Sequence, residues 1–299
     1  MDTDRQKSEL RRTEAHAGFV FVVPATVLYV TFVLLPIAVT VVLAFTYYDP
    51  LGSVRWAGLD NFVRFFSEPR SLRILGNTMV FTFFAVIFNV GVGLLLALAL
   101  NRTMPPFLLY FFRLSFFLPV IIAGSFIAIV WTFFYRDEFG VFNWVLARLG
   151  MAPIRWVTSS RNAMASIVFT DVWKNTGFAM IIFIAALQSV PRPLIDAATM
   201  DGASPWRRFR RITLPWISPV IFFMIVLASI GALQVYESII ILTKGGPGDG
   251  TRSMSIYIVE QAFGSFEVGF AAAISVVLTA IILVITSIQF VVSKRWVQS

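Results

Sequence analysis

Two short stretches set groups that bind, rather than react, inside apolar sequence. FTDVWKNTGFAM, Phe169 to Met180, holds Asp171, Trp173, Lys174, Asn175 and Phe178, and GALQVYESI, Gly231 to Ile239, holds Gln234, Tyr236 and Glu237. Carboxylates, an ammonium group and amides supply directional hydrogen bonds, while Trp173, Phe178 and Tyr236 supply flat faces. That set suits a neutral ligand rich in hydroxyl groups. A phosphorylated ligand favours paired arginines, which neither stretch contains, although Lys174 leaves that option open. Metal and nucleophilic chemistry lack their usual parts, because the chain has no cysteine and its single histidine, His16, lies in a polar N-terminal tail. No cofactor and no catalytic residue are expected.

The elements that position these groups are membrane helices. Of 299 residues 58% are hydrophobic and 13% charged, against about 25% charged in a soluble domain. A bilayer core about 30 Å thick takes about 20 apolar residues in helix. Six segments meet that length: 18–45, 77–100, 107–134, 163–187, 216–243 and 269–292. The first is too long for a cleaved signal, and its Pro24 and Pro36 are expected to kink it. The expected organisation is all-α, with a tail over 1–17, one six-helix domain over 18–293 and a tail over 294–299.

Six spans put both termini on one side. Thirteen lysines and arginines fall on that side and ten on the other, which is longer in total. The excess points to termini inside the cell. Trp56, Trp144 and Trp156 then lie in outer connections, where aromatic rings settle at an interface. The net charge of +8 is spread over short connections with no basic-aromatic reading surface, so nucleic acid is not an expected partner.

In this frame Asp171 and Lys174 lie roughly 12–17 Å, and Glu237 roughly 8–9 Å, below the outer ends of their helices. One outward-opening pocket can draw on both. Two other readings compete: an i, i+3 ion pair between Asp171 and Lys174, and interhelical hydrogen bonds from Gln234 and Glu237 to a second membrane subunit. Asn89, alone in the second span, reads as a helix-packing amide. Trp173 and Tyr236 either stack on a sugar ring or pack against neighbouring helices.

The connection 188–215 carries the strongest pattern. Pro191 and Pro193 end the fourth span. A short helix follows over Leu194–Met200 with Asp196 early in it, Asp201-Gly202 breaks it, and Ser204-Pro205 starts another. WRRFRRI, Trp206 to Ile212, then leads through Leu214-Pro215 into the fifth span. Physics alone allows an amphipathic hairpin resting on anionic headgroups, or a protruding handle for a partner.

The pattern D-A-A-x-x-D-G-A-x-x-x-x-x-F-x-x-I-x-L-P over Asp196–Pro215 resembles the EAA motif of permeases from binding-protein-dependent ATP-binding-cassette (ABC) importers, with Asp196 where glutamate is usual. GLDNF at Gly58–Phe62 and LTKGGPGDGT at Leu242–Thr251 are similar to loops of the maltose- and glycerol-phosphate-type members, the MalF/UgpA type. The resemblance implies a MetI-like, type I importer transmembrane domain. It implies that Asp196, Ala197, Ala198, Asp201, Gly202, Ala203, Phe209, Ile212, Leu214 and Pro215 dock on cytoplasmic ATPase subunits. It also implies a second permease as heterodimer partner, an extracytoplasmic solute-binding protein, and a bacterial or archaeal cell membrane. The sugar site of the maltose permease aligns with Asp171, Lys174, Asn175 and Phe178 and falls close to Gln234.

The expected function is sugar translocation, with ATP hydrolysed elsewhere. Glycerol 3-phosphate or a glycerophosphodiester is the alternative cargo, and an ion-coupled secondary transporter is the rival class. GGPGDGTR does not make a phosphate loop, because Thr251-Arg252 stand where lysine and a hydroxyl residue belong.

Overall fold

The computed structural model describes residues 19–48, 52–102 and 104–294; most of the two expected tails lies outside these. The described chain is helical apart from a two-stranded ribbon in which β1 (Thr46–Tyr47) pairs antiparallel with β2 (Arg55–Trp56).

α1 (Phe19–Leu43) is apolar on every side and buries almost nothing against the rest of the chain. It runs unbroken through Pro24 and Pro36. Just before Pro36 the helix widens to a π turn, Val30–Leu34, closed by the Leu35 N–H on the Val30 carbonyl. Proline cannot donate to the preceding turn, and the wider loop reorganises the hydrogen bonds around it.

α2 (Asp60–Ser67) and α3 (Pro69–Leu100) follow, so the second span begins eight residues before the expected Asn77. Buried Asn61, from the GLDNF stretch, donates to the carbonyls of Ala44 at 3.0 Å and Thr46 at 2.9 Å, fastening the end of α1 to α2.

The third span departs from the expected single helix. α4 (Pro106–Ile121) and α5 (Gly124–Phe134) meet at 105°, with Ile122 and Ala123 extended between them. Average apolarity is blind to such a bend. After α6 (Val141–Arg148), buried Asn143 joins the carbonyls of Asp137 and Ile154, the Ile154 amide and the Trp156 indole. Trp156 therefore packs against the core, whereas Trp56 and Trp144 are 71% and 60% exposed.

α7 (Ala163–Gln188) is the central helix and carries the longest buried face of the bundle. It meets α3 and α4 through small residues. A Cβ on Gly93 would lie 2.5 Å from the Ala179 Cβ, and one on Gly177 would lie 1.9 Å from the Phe116 carbonyl oxygen. Such residues let membrane helices approach closely.

α8 (Arg192–Met200) leads to α9 (Pro205–Leu233), which carries both the arginine-rich stretch and the fifth span as one helix. A second π turn, Phe209–Thr213, closes with the Leu214 N–H on the Phe209 carbonyl immediately before Pro215, the same device as in α1. The fifth span stops at Leu233, ten residues before the expected Thr243. The chain then turns into α10 (Glu237–Leu242), and α11 (Met254–Val259) and α12 (Val268–Ser293) complete the fold.

Candidate functional site

Two helix breaks face α7. On one side the extended residues Ile122 and Ala123 precede Gly124; on the other, α9 ends at Leu233 and α10 restarts at Glu237. Between them Asp171, Lys174, Asn175 and Phe178 fall at i, i+3, i+4 and i+7, one face of a helix. These four, with Tyr236 and Glu237, line a cavity of about 400 Å³, which Asn89 of α3 also lines.

Asp171 is held from two sides. Asn89 Nδ2 donates to its Oδ2 at 3.0 Å and Asn175 Nδ2 to its Oδ1 at 3.0 Å. Among the described residues no ion pair joins Asp171 to Lys174. Lys174 instead reaches toward Glu237: its Nζ and the Glu237 Oε2 lie 2.7 and 2.2 Å from where a Gly124 Cβ would sit. The absence of a side chain at Gly124 thus lets both charged ends cross the break in the third span.

Two expected residues lie elsewhere. Trp173 is two residues from Asp171, about 200° around the helix, and its ring packs edge-on to Trp131 at 5.4 Å, outside the cavity lining. Gln234 is the exposed residue that terminates α9 and does not line the cavity either. Asn89 does act as a packing amide, but its target is the polar centre of the site. A single amide in an apolar span was the only signal of it.

At the other end of α9 the expected hairpin is present. Asp196, Ala197 and Ala198 lie on α8; Asp201, Gly202 and Ala203 form the turn, with Gly202 at φ +70°, and the Ala203 N–H donates to the Ala198 carbonyl. Ser204 Oγ accepts from the Arg207 amide, as a serine cap does. Phe209 and Ile212 lie in the π turn that leads to Leu214 and Pro215. Ile195 and Ile212 pack on the cluster of Ala97, Met180, Phe183 and Ile217, while Met200 at the tip is 89% exposed.

The GGPGDGT loop lies at the opposite end. Asp249 accepts from Arg70 Nε at 2.8 Å and from Arg252, and Asn77 Nδ2 donates to the Asp249 carbonyl at 2.6 Å. The hydrogen bond from Arg70, reinforced by Arg252, holds the Asp249 carboxyl below its ordinary range. Thr251 Oγ1 donates to the Gly246 carbonyl at 2.7 Å. These internal partners make the loop a structural clasp between α3 and α11.

A helical membrane bundle with an internal polar cavity and an exposed helical hairpin defines a membrane permease. Residues 89–298 match the family described as "Binding-protein-dependent transport system inner membrane component". The chain is 34% identical to the probable ABC transporter permease protein YesP of Bacillus subtilis, over 98% of this chain and 95% of that one. It is 31% identical to the trehalose/maltose transport system permease protein MalF of Thermococcus litoralis, over 96% and 97% of the two chains. A crystal structure of a bacterial alginate ABC transporter, bound to its alginate pentasaccharide-loaded periplasmic protein, contains a chain of the same fold. Its TM-score is 0.85 at 24% identity, covering 95% of this chain and 96% of that one. The chain therefore belongs to the family of inner membrane components of binding-protein-dependent transport systems, with the MetI-like fold of ABC importer permeases.

Proposed function

We propose that this protein is the permease subunit of an ATP-driven sugar importer. In this reading a solute-binding protein delivers the sugar from outside, a second permease completes the pathway, and two ATPase subunits grip the α8–α9 hairpin from the cytoplasm. The reading places both termini inside a bacterial or archaeal cell membrane. Asp171, Lys174, Asn175, Phe178, Tyr236 and Glu237 contact the sugar, and the hairpin residues Asp196 to Pro215 contact the ATPase.

The observation that carries this reading is the cavity of about 400 Å³, placed where two spans break and rimmed by hydrogen-bonding side chains and the rings of Phe178 and Tyr236. Ionisable groups inside spans cost a few kcal/mol each unless they face such a space. The names of the relatives above, trehalose/maltose among them, support a sugar as cargo. The unburied surface of α1 supports a second membrane subunit.

Purification in mild detergent followed by mass spectrometry of the accompanying chains tests the assembly; a second membrane subunit and a nucleotide-binding protein are expected. Uptake into vesicles then tests the energy source. Sugar accumulation driven by a proton gradient in the absence of ATP overturns the proposal.

A further inference from the structure

The third span carries a charge that the proposed site does not use. Arg113 lies in α4, about 10 Å from its start at Pro106. Around the helix it falls on one stripe with Leu109, Phe117 and Val120, spaced i, i+4, i+8 and i+11 from Leu109, and all four are half-buried. The opposite face, with Phe107, Phe111, Leu114 and Leu118, is exposed. Arg113 therefore faces the bundle, away from the open side of α4.

Both ends of that stripe have fixed surroundings. Val120, about 10 Å beyond Arg113, lines the cavity, and Leu109, one turn before it, packs on the cluster that also receives Ile195 and Ile212 of the hairpin. Arg113 thus lies between the cavity and the hairpin end of the bundle. Charged groups inside spans persist where they pair or face a water-filled space. Among the described residues no carboxylate pairs with Arg113. Its Nε is buried without a hydrogen-bond partner, while its two terminal nitrogens are neither buried nor bonded. A guanidinium group donates and cannot accept, so open donors stand on the same face as the ring of Phe117.

We infer that Arg113 is a second, transient station for the sugar, whose hydroxyl groups accept from the guanidinium on the way from the cavity to the hairpin side. The inference rests on the sugar-importer reading, in which the hairpin side is the cytoplasm, and adds a step after the cavity. A ligand hydroxyl supplies the acceptor that the chain lacks. Such a contact, made only in transit, speeds passage without tightening the initial binding.

The chain has no cysteine, so single introduced cysteines report which face of α4 meets water. In the whole transporter reconstituted in vesicles, Arg113→Cys is expected to react with a sulfonated methanethiosulfonate reagent, read on this chain by mass spectrometry. Phe111→Cys, about 200° around the helix, is expected not to react. Uptake of radiolabelled maltose, trehalose, lactose and arabinotriose, with the binding protein present, then tests the role. Arg113→Leu should lower kcat at least about tenfold for whichever probe is carried, with KM within about twofold of its starting value. Arg113→Lys, which keeps a charged donor, should recover kcat to within about threefold. An unreactive Arg113→Cys, the result if a carboxylate of a second membrane subunit covers this position, overturns the inference, as does equal reaction at both positions or an unaltered kcat for Arg113→Leu. A joint fall in melting temperature and kcat that Arg113→Lys does not recover marks a structural role and overturns it too. Failure of the unaltered protein to carry any probe overturns the sugar reading, whereas the cysteine reactivities need no cargo and decide separately whether Arg113 borders an open path.

Discussion

The carbonyl oxygen of Phe116 occupies the place where a Cβ on Gly177 would be, 1.9 Å from that point. The obstacle is backbone, so no rotamer change can relieve it. Gly177→Ala should destabilise the bundle by about 1–3 kcal/mol through overpacking, and Gly177→Val by more. Thermal unfolding in detergent checks this, and a melting temperature equal to that of the unaltered protein would contradict the packing of α4 on α7.

Trp173 and Phe178 share α7 but not a face. Phe178 lines the cavity, whereas Trp173 packs on Trp131. Phe178→Ala should raise the KM for the transported sugar several-fold, in line with about 0.5–1.5 kcal/mol for a lost aromatic contact, with little change in thermal stability. Trp173→Ala should do the reverse. A raised KM for the Trp173 variant at unchanged stability would return that ring to the site.

Asp249 has a carboxyl pKa below its ordinary value because Arg70, then Arg252, favour the charged form. Its contribution is therefore fully present above the unfolded value of about 3.9 and is lost as pH falls through the lower folded value. The difference in melting temperature between the unaltered protein and Asp249→Asn should be widest above about pH 5 and should narrow as pH falls below about 3.9. A difference that stays constant across this range would show that the clasp does not depend on the charge.

Gly202 holds φ +70° in the turn between α8 and α9. Gly202→Pro, whose ring fixes φ near −65°, should abolish transport and loosen the ATPase while membrane insertion stays normal. Gly202→Ala should be milder, in line with a cost of about 1 kcal/mol for a left-handed residue. Co-purification of the ATPase with each variant is the measurement, and an unaltered uptake rate for Gly202→Pro would refute the role given to the hairpin.

The helical class, the hairpin and the shared face of Asp171, Lys174, Asn175 and Phe178 were legible because each depends on local spacing or on apolarity summed over a window. The break inside the third span and the early end of the fifth were not. IIAG at 121–124 and QVY at 234–236 differ little from helical membrane sequence, and the segments beside both breaks pack against α7 and α3 in one cluster. The i, i+2 spacing of Asp171 and Trp173 already set the tryptophan apart from the carboxylate. For Gln234 the spacing was no guide, since the helix carrying it had ended. The link from Asn89 to Asp171 spans 82 residues and joins separate helices, a relationship that no single-segment pattern contains.

The continuity of α9 has a mechanical meaning. Its 29 residues extend about 43 Å, with the exposed Trp206 near one end and the cavity residues Gly231 and Ala232 near the other. In the proposed importer a sideways force on the hairpin would act as torque on a single lever whose far tip forms part of the cavity rim. On that reading no relay of loosely coupled contacts is required for a stroke to cross the membrane.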